Sequence, residues 1–292
     1  MRVLITGING FTGVYLEKLF RSYDFQVFGT TIDEPLKDTH LKCDITNIDD
    51  VKAVLNEIRP DYIIHLAAIS FVASDPMKTY KVNVFGTLNI LDSLVQLKLA
   101  PKKIILASSA AVYGNQQGSL SESNFPTPVN HYGNSKLVME NMAKNYFDKL
   151  KILMVRPFNY TGIGQESHFL IPKIISHYVL GKKTIELGNI NVFREYNDIN
   201  DIVRAYYMLL IGDAHSQIFN LCSGKSYSIS QILIFLNKKV NYEIKVSVNQ
   251  KFVRKNEILE LKGDPSKLYQ FLGDKQFETN IDETLSRMLS LK

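Results

Sequence analysis

The chain opens on a short apolar run, Val3-Leu4-Ile5-Thr6, that passes without a spacer into Gly7-Ile8-Asn9-Gly10-Phe11-Thr12-Gly13. A strand that ends in closely spaced glycines and leads into an amphipathic stretch has few ways to fold. The glycines allow a sharp turn and a close backbone approach, and residues Thr12 to Ser22 read as a helix whose positive amino end faces that turn. Further β-rich runs recur at Gln26 to Gly29, Tyr62 to Leu66, Lys103 to Ala107 and Ile152 to Val155. Between them lie helical stretches from about Met77 to Leu97, with Val82, Phe85, Leu88, Leu91 and Leu94 as the apolar face, and from about Tyr132 to Phe147, with Leu137, Met139, Met142, Ala143 and Phe147 available for burial. Strands alternating with helices specify a parallel sheet covered on both faces.

The expected fold class is therefore α/β, a Rossmann-type parallel sheet with helices on both faces and a smaller C-terminal lobe. After Pro157 the texture changes to glycine-containing loops and short helices, so residues 1–158 read as a nucleotide-binding domain and residues 159–292 mainly as a substrate-binding lobe. One helix in the second part, with Asp201 as its cap and Ile202, Ala205, Tyr206 and Leu209 as its apolar face, is expected to return to the first body with residues of about 194–221.

Composition narrows the classes of function. The 292 residues are 45% hydrophobic, enough for a sizeable core and too much for a disordered chain. Two cysteines, Cys43 and Cys222, are too few for a disulfide framework or a zinc or iron–sulfur cluster, so no metal is expected and a reducing compartment is. The first strand begins at Arg2 and leaves no room for a cleavable signal, and the apolar runs fall far short of the ~18 residues of a membrane span. A cytoplasmic protein with no membrane partner is the expectation. The net charge of +5 suits an anionic ligand, but Lys and Arg are scattered and do not alternate with aromatics, which argues against nucleic acid.

The glycine loop is the strongest local motif. Backbone N–H groups at a helix amino end cradle a pyrophosphate, although the same turn also serves as an ordinary strand-to-helix connection. Cys43-Asp44-Ile45 fits two readings, a wall for an adenine ring or a helix cap before Asn47. The second strand ends in Thr30-Thr31-Ile32-Asp33, with neither an unambiguous ribose carboxylate nor an arginine for a 2′-phosphate, which leaves NADH and NADPH both open. Downstream, Tyr132 and Lys136 stand four residues apart, on one face of a helix. An ammonium beside a phenol favours the phenolate. Bringing a phenol from pH ~10 to neutrality takes about 4 kcal/mol of such preference. A hydroxyl at Ser109 can hold a carbonyl oxygen while Tyr132 transfers the proton.

Taken in order, the glycine loop, Ser108-Ser109-Ala110-Ala111-Val112-Tyr113-Gly114 and Tyr132-Gly133-Asn134-Ser135-Lys136 resemble the extended short-chain dehydrogenase/reductases. The resemblance spans nearly the whole chain. His65-Leu66-Ala67-Ala68-Ile69-Ser70, Asn83-Val84-Phe85-Gly86-Thr87, Arg156-Pro157-Phe158-Asn159-Tyr160-Thr161-Gly162 and Arg194-Glu195-Tyr196-Asn197-Asp198 look like its nucleotide-sugar branch, nearest to GDP-mannose 4,6-dehydratases and GDP-4-keto-6-deoxy-mannose reductases. The resemblance implies Tyr132 as acid/base, Lys136 on the nicotinamide ribose and Ser109 on the substrate oxygen. It implies a cofactor site, for NADPH or NADH, formed by Gly7, Asn9, Gly10, Phe11, Thr12, Gly13, Thr30, Asp44, Ile45, Leu66, Ala67, Ala68, Tyr132 and Lys136. Ser70, Ser109, Asn159, Arg194 and Arg254 are the implied substrate contacts. A homodimer and a GDP-linked sugar are implied as partners.

One departure separates the two enzyme types. The dehydratases carry an acidic group after the catalytic hydroxyl, where this chain has Ala110 and Ala111. Dehydration needs a group that abstracts a proton and one that protonates the leaving hydroxyl, and methyl side chains do neither. The expected activity is therefore 4-keto reduction of an NDP-4-keto-6-deoxy-sugar. A 4-epimerase with retained NAD is the alternative, and a nucleotide sensor without turnover is a third reading against which the Tyr132 and Lys136 pair argues.

Overall fold

The computed structural model describes residues 1–70, 74–249, 259–273 and 277–290. The first half runs β1 (Arg2–Thr6), α1 (Phe11–Ser22), β2 (Gln26–Thr31), β3 (His40–Lys42), α2 (Ile48–Ile58), β4 (Tyr62–His65), α3 (Pro76–Tyr80), α4 (Thr87–Gln96), β5 (Lys103–Ala107), β6 (Gly118–Leu120), α5 (His131–Ala143) and β7 (Ile152–Pro157). It continues with β8 (Tyr160–Thr161), α6 (Leu170–Val179), β9 (Thr184–Leu187), β10 (Phe193–Glu195), β11 (Asn197–Asp198), α7 (Ile199–Ile211), β12 (Gln217–Leu221), β13 (Ser226–Ser228), α8 (Ile229–Val240), β14 (Lys245–Val248), β15 (Glu260–Gly263), α9 (Ser266–Leu272) and α10 (Ile281–Leu289). The main sheet has the order β12-β7-β5-β4-β1-β2-β3, and every neighbouring pair from β7 to β3 is parallel. This is the α/β Rossmann-type architecture that the alternating pattern specifies.

Two compact units share the chain. The first comprises residues 1–114, 124–157 and 203–219; the second comprises 115–123, 158–202 and 220–292. The division is less contiguous than a cut at residue 158. Residues 115–123 leave the first unit because β6 pairs with β15 in a four-stranded sheet, order β13-β10-β15-β6. The first unit's core is built from the apolar faces of β1, β4, β5 and β7 with α2 and α4, including Leu4, Val54, Ile63, Leu91, Ile104 and Met154. The second unit has its own core, with Ile174, Tyr178, Leu187, Leu236 and Leu285 at its centre.

Where the helices depart from the sequence reading, the reason is local. Residues Met77 to Leu97 do not form one regular helix, because a π-helical turn at Lys81–Gly86 joins α3 to α4. Its wider repeat breaks the three-residue stripe: Phe85 is 58% exposed, while Asn83, Val84, Thr87 and Ile90 turn inward. Helix α5 ends at Ala143, and it buries Met139 and Ala143 together with three polar residues, Ser135, Lys136 and Glu140. Asp201 lies in the first turn of α7, which begins at Ile199, and its carboxylate accepts the Thr279 N–H at 3.0 Å. Ile202, Ala205, Tyr206 and Leu209 are buried, as the periodicity requires.

Lys103, at the start of β5, is buried and donates its ammonium to the carbonyls of Leu209 (2.9 Å) and Gly212. A cation thus completes the carboxyl end of α7, where the last carbonyls lack helical partners. Gly114 closes the short 3₁₀ turn at Ala110–Tyr113 with φ +67°, and a β-carbon there would stand 1.8 Å from the Thr127 carbonyl oxygen. Gly114→Ala is expected to cost about 3 kcal/mol by combining left-handed strain with a backbone clash, read as a lowered urea midpoint. A loss below about 1 kcal/mol would show that the turn relaxes freely.

Candidate active site

Strand order reverses between β1 and β4, and in parallel α/β sheets the crevice at the carboxyl ends of such neighbours is where ligands bind. The glycine loop lies there. Gly7 has φ +69°, and its N–H and that of Ile8 both donate to the Thr30 carbonyl at 3.0 and 3.2 Å. A β-carbon on Gly7 would come within 2.9 Å of the Ala67 backbone, and one on Gly13 within 2.4 Å of the Ile8 carbonyl oxygen. No side chain caps α1 at Gly10. A tight glycine cradle at a helix amino end fits the pyrophosphate of a dinucleotide.

The remaining cofactor candidates fall around this loop. Half-buried Phe11 and Thr12 begin α1. The Asn9 amide donates to Thr31 Oγ1 at 3.1 Å, joining the loop to β2. Thr30 itself is 2% exposed, so its part is its carbonyl's hold on the loop and its side chain belongs to the wall. Asp44 accepts the N–H and hydroxyl of Thr46 at 2.9 and 2.8 Å, while Asn47 caps α2. The helix-cap reading of Asp44 is thereby replaced by a turn that fixes the buried Ile45, whose carbonyl accepts the Asn89 amide at 2.9 Å. Leu66 and Ala67 continue β4 by donating to the Thr6 carbonyl and hydroxyl, each at 3.2 Å, and half-buried Ala68 follows.

A buried histidine orders these loops, and the sequence reading assigned it no role. Thr87 donates its hydroxyl to the Asn83 carbonyl at 2.8 Å, leaving its oxygen to accept His65 Nε2–H at 3.0 Å. The Thr6 hydroxyl donates to His65 Nδ1 at 2.7 Å while its oxygen accepts the Ala67 N–H. This sequence of donors requires neutral His65. Burial, reinforced by the charge of Lys136, pulls its pKa down to about 3.

The three residues expected to react all belong to the first unit. Ser109 follows β5 and is the cap of the 3₁₀ turn, with Oγ accepting the Ala111 N–H at 3.1 Å. Asn130 caps α5 by accepting the Gly133 N–H at 2.8 Å, which starts the helix just before Tyr132. A β-carbon at Gly133 would lie 2.6 Å from the Ala111 carbonyl oxygen, so α5 can meet the serine turn only with glycine there. Lys136 is 4% exposed and donates to the Ala107 carbonyl at 2.7 Å, two residues before Ser109. Burial lowers its pKa to about 8, and the negative charge of Glu140 opposes that fall. Tyr132 is half-buried, one turn before Lys136.

Behind this trio stands a polar cluster that periodicity does not reveal. Glu140 accepts Ser108 Oγ at 2.5 Å and two bonds from Arg156 at 2.9 and 2.6 Å, and Arg156 also donates to the Tyr113 hydroxyl at 3.0 Å. Asn83 exchanges two bonds with the Ile69 backbone, at 2.8 and 3.0 Å, and donates to Ser135 Oγ at 2.9 Å. It ties the segment leading to exposed Ser70 onto α5. The available signals were a glutamate four residues beyond Lys136 and a lone arginine ending the apolar run Leu153-Met154-Val155.

In the second unit, exposed Asn159 accepts the Asn197 N–H on its carbonyl at 2.9 Å. Half-buried Arg194 lies on β10, opposite Tyr227 of β13, and donates to the Phe193 carbonyl at 2.7 Å. Glu195 beside it is buried and gathers the N–H groups of Ser223 and Gly263 and the Asn197 amide. Burial pushes its pKa up, and these donors hold it back. Arg254 lies outside the described residues. Among the described residues no helix is long and apolar enough to cross a membrane, and no group of three or more His, Cys, Asp or Glu is placed to hold a metal.

The sequence profile of the GDP-mannose 4,6 dehydratase family matches residues 4–288. The chain belongs to this family. It is thus a member of the nucleotide-sugar branch of the extended short-chain dehydrogenase/reductases, an oxidoreductase that uses NAD or NADP and acts on nucleotide sugars. Among its relatives, the GDP-6-deoxy-D-talose 4-dehydrogenase of Aggregatibacter actinomycetemcomitans is 39% identical over 99% of this chain and 97% of that protein. A putative epimerase from Burkholderia cenocepacia J2315 superposes with a TM-score of 0.94 at 38% identity, covering 99% of this chain and 96% of its own. The RMD protein of Pseudomonas aeruginosa, solved with NADPH, gives a TM-score of 0.86 at 27% identity, covering 99% and 97%. The family's profile bears a dehydratase name, yet Ala110 and Ala111 occupy the serine turn here and the buried carboxylate nearest in the chain's hydrogen bonding, Glu140, is closed off by Arg156.

Because the fold holds His65 neutral, its contribution to stability is complete above the ordinary histidine value and is lost as pH falls from about 6.5 toward 3, at up to ~1.4 kcal/mol per pH unit. Urea unfolding of the wild type should therefore steepen in pH dependence below pH 6, and His65→Asn should lack that component. Equal slopes in both proteins would mean that His65 takes up its proton without cost.

Proposed function

We propose that this protein interconverts a GDP-4-keto-6-deoxy-hexose and the corresponding 4-hydroxy sugar, working as an NAD(P)H-dependent 4-keto reductase or, in reverse, as a 4-dehydrogenase. The observation that carries the reading is the serine turn. Ser109 follows β5 and Tyr132 and Lys136 lie on α5, with alanine at positions 110 and 111, a set we read as equipment for one proton transfer and not for eliminating water. The Aggregatibacter relative, a 4-dehydrogenase of a GDP-linked 6-deoxy sugar, supports both the position of the reaction and the nucleotide.

In this reading Tyr132 gives its phenolic proton to O4 as the carbonyl becomes an alcohol, and Ser109 Oγ donates to the same oxygen. The glycine loop and Lys136 would hold the dinucleotide, which when bound would supply the hydride and be left oxidised. The Lys136 ammonium stabilises the phenolate that Tyr132 becomes, and burial strengthens that effect by removing screening water. Ser70, Asn159, Arg194 and Arg254 are assigned to the substrate, Asn159 and Arg194 toward its diphosphate and Arg254 toward its nucleotide portion. A homodimer belongs to the same reading; Phe85 and Val138, apolar and 58% and 39% exposed on the π turn and on α5, offer a face for it.

A second reading, a 4-epimerase with retained NAD, draws support from the Burkholderia protein and needs the same three residues. It removes and returns hydride at C4 without net redox change. A sensor without turnover has no use for a phenol paired with a buried ammonium.

Tyr132→Phe keeps the ring and removes the proton, so kcat should fall by about 10²- to 10⁴-fold with cofactor affinity within about threefold of wild type. Near-normal rates would remove Tyr132 from the chemistry. The wild type should consume one equivalent of NAD(P)H per GDP-4-keto-6-deoxy-mannose and form a 4-hydroxy sugar, followed by absorbance at 340 nm and product NMR, where ~1:1 stoichiometry marks direct reduction. Interconversion of two C4 epimers with no net cofactor use would establish the second reading, and reaction with TDP- or CDP-keto sugars alone would change the nucleotide.

A further inference from the structure

The buried cluster behind the serine turn has a shape that stability alone does not require. Glu140, fully buried, bonds to Ser108, the residue before Ser109, and lies one helical turn beyond Lys136 on α5. Its second partner, Arg156, comes from the end of β7 and reaches on to Tyr113 at the far end of the serine turn, with its guanidinium carbon 4.8 Å from that ring's centre. One carboxylate therefore touches β5's end, α5 and β7's end together. Lys136 closes the figure by holding the Ala107 carbonyl. Residues 107 and 108 are both held from α5, the first by the lysine and the second by the glutamate.

Resting on the assignment of Tyr132 and Lys136 made above, we infer that Glu140 is a positioning residue that couples two requirements of the reaction, the placement of Ser109 and the charge of Lys136. The first follows from the Ser108 bond, since a serine side chain fixed at 2.5 Å leaves the next residue little freedom. The second follows from electrostatics. Lys136 sits where burial opposes its charge. Glu140 on its own helix favours the ammonium, and His65 at the end of β4 is neutral and would repel it only if protonated. Tyr132 shares its face of α5, and Arg156 and Tyr113 approach from behind Glu140. Glu140 supplies the negative charge of this set, and Arg156 balances it so that the pair stays ionised out of water.

The arrangement predicts that charge and position can be separated by mutation. In the wild type, affinity for the tighter-binding of NADH and NADPH should fall as pH rises through about 8, where Lys136 gives up its proton. Glu140→Gln keeps the size and an acceptor oxygen but removes the charge and leaves Arg156 unbalanced, so the midpoint should move down by about one pH unit. Glu140→Asp should return it toward wild type. Fluorescence titration of cofactor binding between pH 6 and pH 9.5 reads this without turnover. A purely structural glutamate would lower the melting temperature and leave the midpoint in place, which would overturn the inference.

Should Glu140→Gln fail to fold, Ser108→Ala tests the positional half. It should lower kcat about tenfold or more, with the pH midpoint of cofactor binding unmoved. Wild-type kcat in Ser108→Ala would overturn the inference. Lys136→Met keeps this test apart from the reading it rests on. If that variant binds cofactor like the wild type at pH 7, the assignment of Lys136 fails; if it weakens binding and flattens the pH profile while Glu140→Gln leaves the midpoint in place, only the role of Glu140 fails.

Discussion

The bond between Glu140 and Arg156 is the constraint on which the catalytic half of the molecule turns. Two opposite charges with 0% and 2% exposure face each other through paired hydrogen bonds, with Ser108 and Tyr113 as their further partners in the interior. Such a pair gains little over a well-packed apolar replacement, because taking both ions out of water costs several kcal/mol. Its return is geometric. A carboxylate has fixed lone-pair directions and a guanidinium a fixed fork, so the ends of β5 and β7, the serine turn and α5 are held in one relation that interchangeable methyl groups would not specify.

The same economy of directed bonds appears at the cofactor crevice. Gly7 approaches the Ala67 backbone too closely for any side chain, and Gly13 does the same against Ile8. Between those loops His65 links Thr6 to Thr87, and Thr87 to the Asn83 carbonyl. Asn83 lies on the π turn, and its side chain bonds Ser135 on α5. A continuous run of hydrogen bonds thus leads from the end of β1 to the helix that carries Tyr132 and Lys136. The π turn is what lets Asn83 point inward while Phe85 points to solvent, an arrangement a regular helix over the same residues would not allow.

Substrate chemistry is written into the turn after β5 more than into the fold. In the proposed reaction, alanines at 110 and 111 leave Tyr132 as the proton carrier, and Arg156 keeps the neighbouring carboxylate, Glu140, occupied. In the second unit, buried Glu195, next to Arg194, accepts the N–H groups of Ser223 and Gly263.

Much of this was legible in the residues. Short continuous apolar runs located β1, β4, β5 and β7, and the longer stretches between strands located α1 and α5, because the apolar content and length of a segment are local properties of the sequence. Chain order also set the glycine loop and Ser109 where a strand gives way to a helical turn, and the spacing of Tyr132 and Lys136 put both on one face of α5. What tertiary structure decided were the partners. The π turn, the inward Asn83, neutral His65 and the Ser108–Glu140–Arg156–Tyr113 cluster depend on side chains up to dozens of residues apart meeting in a water-free interior. No periodicity records which polar group a buried charge will find, because that is set by the packing of β5, β7 and α5 and not by any one of them.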